Sequence, residues 1–149
     1  MHAPAPLTQR QRSDLRAVAA MIVPASEQYR VPGADDEKIQ ADILATLGRD
    51  IERVAEALDH LARLAGRPLA ELDREKRDEV ASEFRSTGGI SASTLTRVVL
   101  QCYYRDDRVL RSLGLELRPP FPKGYPLEQG DWSLLDPVKA RPPMWRRVK

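Results

Sequence analysis

Ile51-Glu52-Arg53-Val54-Ala55-Glu56-Ala57-Leu58-Asp59-His60-Leu61-Ala62-Arg63-Leu64-Ala65-Gly66-Arg67-Pro68 is the stretch whose reading decides the fold. Ile51, Val54, Ala55, Leu58, Leu61, Ala62 and Ala65 recur at the spacing that gathers side chains on one face of a helix. Gly66 suits the left-handed residue that closes a helix, and Pro68 prevents its resumption. An amphipathic helix of this kind needs other apolar faces to cover its stripe.

The flanking sequence supplies them. Upstream, Ile39, Ile43, Leu44 and Leu47 form a second stripe that begins near Asp35-Asp36, where carboxylates meet the positive end of a helix. Gly48 either breaks that helix or is crossed at a cost of about 1 kcal/mol. Further upstream, Thr8 and Gln11 have the spacing of a capping box. Leu15, Val18, Ala19 and Ile22 follow, and Pro24 ends the helix near Ile22. Residues 25–34, with Pro32 and Gly33, read as a loop. Downstream, a helix starts after Asp73 with Val80, Ala81 and Phe84 inward, and Thr87-Gly88-Gly89 forms a loop. Ser91 or Ser93 is then placed to cap a helix carrying Leu95, Val98, Val99, Cys102 and Tyr103. Val109, Leu110 and Leu113 make a short last turn ending at Gly114. No segment alternates with period two, no internal repeat occurs, and the stripes keep no heptad. Residues 1–114 therefore predict an all-α, compact bundle of about five helices, with short loops joining antiparallel neighbours.

Composition narrows the function. The chain has 149 residues, 42% apolar and 31% charged, enough to form one core and too apolar for a wholly disordered chain. Its longest uncharged runs, Ala17–Ser26 and Thr87–Thr96, are about half the roughly 20 residues of a membrane span. A net charge of +2 argues against a dedicated nucleic-acid binder. One cysteine and two histidines exclude an internal disulfide and a Cys/His zinc site. Dinucleotide, Walker, nucleophile-elbow and zincin motifs are absent.

The last 35 residues differ in kind. Residues 115–149 hold seven of the 12 prolines and half of the eight aromatics. So many prolines argue against a helix or a central strand. Phe121, Tyr125, Trp132 and Trp145 are costly to leave in water, and each large aromatic buries about 150–250 Å² when covered. The expectation is an extended, polyproline-like arm docked along a surface by Trp132, Leu134 and Leu135 and by Met144 and Trp145; that surface is either a partner's, the reading preferred for the set as a whole, or the chain's own bundle. Phe121 and Tyr125 join that interface, with Tyr103 and Tyr104 as second choices.

Residues capable of chemistry have plainer roles. His60, four residues after Glu56, reads as a solvated helical histidine, because no further ligands converge on it in the sequence. His2 lies near the terminus. Cys102 sits on an apolar stripe and reads as a buried thiol. Asp35-Asp36-Glu37 and Asp106-Asp107 read as charges at helix starts. Arg146, Arg147 and Lys149 make a basic end too short for a nucleic-acid patch. The start, Met-His-Ala-Pro-Ala-Pro, has no basic and apolar leader and no twin arginine, which predicts a cytoplasmic protein. A periplasmic location is the alternative if a leader was removed or a partner carries one.

Several stretches together suggest a family. They are Leu7-Thr8-Gln9-Arg10-Gln11, Met21-Ile22-Val23-Pro24, Val31-Pro32-Gly33-Ala34, Leu72-Asp73-Arg74-Glu75-Lys76-Arg77 and, most clearly, Val99-Leu100-Gln101-Cys102-Tyr103-Tyr104-Arg105-Asp106-Asp107-Arg108-Val109 with Leu113-Gly114. Leu134-Leu135-Asp136-Pro137-Val138-Lys139-Ala140-Arg141-Pro142-Pro143 closes the set. In these stretches the chain resembles the gluconate 2-dehydrogenase subunit 3 family, the small subunits of FAD-dependent dehydrogenases of the glucose–methanol–choline type. The resemblance implies a non-catalytic subunit that stabilises a large flavoprotein oxidising an alcohol or sugar hydroxyl. FAD would sit on that partner, and this chain would bind no cofactor and no metal. Small subunits of this kind often carry a twin-arginine signal, and this sequence departs from the pattern there. Two other readings follow from the residues alone: a free-standing helical adaptor that binds a peptide or protein, and an enzyme whose acidic residues are gathered by the fold.

Overall fold

The computed structural model describes residues 6–119, 121–142, 144 and 145. It divides into two units, Met1–Leu117 and Arg118–Lys149. His2, Arg146, Arg147 and Lys149, noted above as terminal residues, lie outside the described ones.

The first unit contains α1 (Gln9–Ile22), α2 (Glu37–Thr46), α3 (Ile51–Ala65), α4 (Arg74–Thr87), α5 (Gly89–Tyr103) and α6 (Asp107–Ser112). Single 3₁₀ turns at Gly48–Asp50 and Leu69–Glu71 flank α3. With α7 (Asp136–Lys139) in the second unit, the described residues hold seven α-helices rather than about five. The two additions are short helices, α6 after the α5 stripe and α7 in the proline-rich segment. Val109, read from the sequence as part of a last turn, sits in a capped helix, α6. Among the described residues there is no β-strand, only an isolated bridge between Ser26 and Val31.

Most helix ends follow local chemistry. Thr8 accepts from the Gln11 N–H at 3.2 Å, and Gln11 Oε1 accepts from the Thr8 N–H at 2.9 Å, completing the capping box. Asp36 accepts from the N–H groups of Lys38 and Ile39 to start α2. Asp73 accepts from the Lys76 N–H at 2.8 Å to start α4. Gly66 closes α3 with φ 68°, a conformation that costs a residue with a Cβ.

The start of α5 departs from expectation. Neither Ser91 nor Ser93 caps it. The helix begins at Gly89, Ser91 donates to Glu56 at 3.0 Å, and Ser93 donates back to the Gly89 carbonyl. The cause is the tight corner between α4 and α5. A Cβ on Gly88 would lie 2.5 Å from the Ala92 Cβ and 2.7 Å from the Phe84 carbonyl oxygen, so the chain turns directly into α5.

The core sits between α3 and α5, which pack most extensively on each other. Val54, Leu58 and Leu61 of α3 meet the same cluster as Leu95, Val98 and Val99 of α5. From α1 come Leu15, Val18 and Ala19, and from α2 come Ile39 and Ile43. Burying a side chain of this size contributes about 1.5–3 kcal/mol. The few buried polar groups are matched. Gln40 donates to the Ala34 carbonyl at 2.8 Å, and Asp14 accepts from the Leu69 N–H at 3.3 Å. Among the described residues no buried side-chain nitrogen or oxygen lacks a partner.

Gly88→Ala is expected to lower the stability of the helical unit by about 1–3 kcal/mol, the usual cost of overpacking. Gly130→Ala, where an added Cβ meets nothing within 4 Å, should leave it unchanged. Thermal unfolding followed by circular dichroism compares the two; equal melting midpoints would contradict the close packing at the corner.

Candidate functional site

The second unit begins with a closed turn. Arg118 lays its guanidinium over the Tyr125 ring, 4.4 Å from the centroid, and donates to the Gly124 carbonyl at 2.8 Å. The Tyr125 hydroxyl donates back to the Arg118 carbonyl. Gly124, with φ 65°, permits the reversal. This turn leaves the Phe121 ring 84% exposed.

A helical stretch follows where the prolines predict none. Asp131 accepts from the Ser133 N–H at 3.0 Å and from its hydroxyl. Trp132–Leu135 then forms a 3₁₀ turn that leads into α7. Pro137 stands in the first turn of α7, where a missing N–H deprives no carbonyl and the fixed φ is already helical. The expected extended arm is thus interrupted by ordered turns. The unit's own fold leaves Trp132 65%, Leu134 74%, Met144 93% and Trp145 64% exposed. Leu135 and Tyr125 are less exposed. Leu127 and Val138, absent from the sequence-based set, are exposed as well; single aliphatic residues carry little signal beside tryptophans.

The two tyrosines of α5 separate. Tyr104 is half-exposed, whereas Tyr103 is only 4% exposed and belongs to the core. Their rings meet edge to face at 5.2 Å. Burial pushes the Tyr103 hydroxyl above its ordinary range. Tyr103 carried two readings from the sequence, a place on the apolar stripe of α5 and a second-choice interface contact; the first holds and the second does not, because its ring continues the face of Val99 and Cys102.

The chemistry-bearing residues of the helical unit do not converge. His60 is half-buried rather than solvated. Its ring packs edge to face on Phe84 at 5.8 Å, and its Nε2 lies 3.3 Å from the Thr87 hydroxyl. Glu56 accepts from Ser91 instead, and Asp59 from Gln11. Cys102 is buried, 3.4 Å from Thr46 Oγ1, and burial pushes its thiol up. A small polar cavity of about 210 Å³ opens beside it, lined by Lys38, Asp42, Arg105 and Asp106 among others. Arg105 is already committed there to Asp42, at 2.6 Å. Among the described residues no three His, Cys, Asp or Glu side chains are placed to hold a metal ion. No helix among them is long and apolar enough to cross a membrane.

The two acidic clusters are helix starts, as read, but they are also joined. Arg108 donates to both Asp36 oxygens, at 2.7 and 3.1 Å, and to both Asp106 oxygens, at 2.9 and 3.0 Å. Its guanidinium holds both carboxyls below the usual range and is itself raised. Lys38 adds a longer contact to Asp106, at 3.9 Å. No spacing rule links Asp36 to Arg108. A second feature without a local signal is a groove of about 540 Å³ that Met21 and Ile22 of α1 share with Leu61, Ala81 and Phe84, with Arg74 and Arg85 also on its lining.

No family model, no curated protein and no solved structure matches this chain. The family reading therefore rests on the sequence stretches quoted above.

The Arg108 brace has a definite pH dependence. Carboxyls depressed in the folded state stabilise above their unfolded value, near about 3.9. That stabilisation is lost as pH falls through this value toward the lower folded ones. The melting advantage of the wild type over Arg108→Met should be present at pH 7 and shrink as pH falls from about 5 to about 2. Thermal melts across that range measure it, and a constant gap would contradict the assignment.

Proposed function

We propose that this chain is the non-catalytic small subunit of an FAD-dependent oxidoreductase of the glucose–methanol–choline type. It binds and stabilises the large flavoprotein, which carries the FAD and acts on an alcohol or sugar hydroxyl. The reading is supported by one observation above all. The helical unit gathers its apolar stripes into one core and leaves scattered side chains such as Tyr29, Ile90 and Leu113 exposed, while the much shorter C-terminal unit leaves two tryptophans, a phenylalanine and a methionine in water. Exposed side chains of this kind, spread along one segment, are what an interface covers. The family resemblance names the class of partner. The helices serve as a scaffold, and the C-terminal segment docks through Phe121, Tyr125, Trp132, Leu134, Leu135, Met144 and Trp145, with Tyr104 as a lesser contact.

A second reading, a free-standing helical adaptor, is favoured by the groove shared by α1 and α4, since apolar grooves between helices accept peptide segments. The two readings separate in one purification. Native mass spectrometry of the tagged chain from its own cells should show a stoichiometric large subunit with bound flavin. A chain isolated alone or with flavin-free peptides would favour the adaptor.

Co-expressed with the large flavoprotein that this reading requires, the Trp132→Ala/Trp145→Ala double variant should retain at least about tenfold less partner, as expected when interface aromatics are truncated. Its helical content should be unchanged. Equal co-purification would count against the docking role of this segment.

A further inference from the structure

The helical turn at Trp132–Lys139 carries a more specific statement, which rests on the subunit reading above. We infer that residues 131–141 form a ready-made hook, whose Trp132, Leu135 and Val138 enter an apolar groove on the flavoprotein bordered by acidic side chains.

Three observations support it. The first is geometry. In a 3₁₀ turn residues three apart eclipse one another, and in an α-helix they share a face. Trp132, Leu135 and Val138 thus line one side of a single short helical run. Trp132 is 65%, Leu135 42% and Val138 55% exposed, and Leu134, 74% exposed, lies off this side.

The second is pre-organisation. Asp131 holds the first turn through the Ser133 N–H at 3.0 Å. The Asp136 carbonyl accepts from the Ala140 N–H at 3.0 Å, and the Val138 carbonyl from the Arg141 N–H at 3.1 Å. Pro137 fixes one backbone angle within α7. A segment that already holds its bound shape loses less conformational freedom on docking.

The third is charge. Residues 131–141 balance two Asp against Lys139 and Arg141, whereas from Val138 to Lys149 the sequence holds five Lys or Arg and no Asp or Glu, three of them, Arg146, Arg147 and Lys149, outside the described residues. Lys139 is shared with Asp136 at 2.9 Å, which leaves Arg141 as the nearest cation beyond that pair. A cationic flank selects an acidic border and speeds encounter with it. An aromatic side chain buries about 150–250 Å², and the whole face covers less than the roughly 800 Å² per partner of a stable interface. The hook is therefore an anchor within a larger contact, and losing it weakens binding without abolishing it.

The test measures association and dissociation rates of the full chain with the purified flavoprotein, at low and high salt. Trp132→Ala should speed dissociation about 30-fold, the size of a hot-spot loss. Asp131→Ala, which touches no partner in this reading, should speed it about fivefold, the size of a lost cap. Asp131→Asn keeps the acceptor and should restore the wild-type rate, which a role for the Asp131 charge would not allow. Arg141→Glu should slow association several-fold at low salt and much less at high salt. If the wild-type chain binds but Trp132→Ala and Asp131→Ala dissociate as the wild type does, the hook is wrong and the subunit reading stands. If Asp131→Asn behaves like Asp131→Ala, the ready-made turn is wrong. Unchanged association by Arg141→Glu removes the acidic border. Failure of the wild-type chain to bind the flavoprotein at all overturns both the hook and the subunit reading.

Discussion

The apolar seam between α3 and α5 is the interaction on which the rest of the helical unit is built. Leu58 and Val54 on one side and Leu95 and Val99 on the other are completely withdrawn from water. α1 and α4 pack on α3, and α2 and α4 pack on α5. No other helix pair supports so many neighbours. Domains are stable by about 5–15 kcal/mol in total, and a buried leucine truncated to alanine costs about 2–5 kcal/mol. A defect in this seam therefore threatens the whole unit.

Around that seam, polar chemistry sets the positions of the outer helices. Asp36 and Asp106 each cap a helix, and Arg108 holds both carboxylates at once. The starts of α2 and α6 are thereby tied together. Asp106 is almost fully buried, which is tolerable only because its charge is matched by a guanidinium with two-point geometry. The pair of acidic helix starts and Arg108 form one structural unit.

The two units handle apolar surface in opposite ways, and the functional reading grows from that contrast. The helical unit matches its stripes to one another. The C-terminal unit spends polar side chains on local turns: Arg118 on Tyr125, and Asp131 on Ser133. These interactions hold shape without covering the large side chains. Shape without coverage is what a docking element requires, since the partner then supplies the burial and little order remains to be imposed.

How much of this was legible depended on the range of the interaction. The Thr8–Gln11 capping box, the Asp36 and Asp73 caps and the Gly66 stop were readable because each is decided within about one helical turn. The all-α class was readable because helical periodicity repeats along the chain. The Ser91 or Ser93 cap failed because the Gly88 corner is set by Phe84 and Ala92, which a capping pattern does not contain. The helical turn at Pro137 failed because a count of prolines ignores the one position where proline suits a helix. Sequence by itself determined the class of fold, most helix boundaries and a C-terminal segment rich in prolines and aromatics. Only tertiary structure decided that His60 rests on Phe84, that Arg108 joins Asp36 to Asp106, and that α1, α3 and α4 share a groove. The reason is physical: local hydrogen bonds fix a helix, but its rotation about its own axis is fixed by the neighbours it packs against, and those neighbours lie tens of residues away.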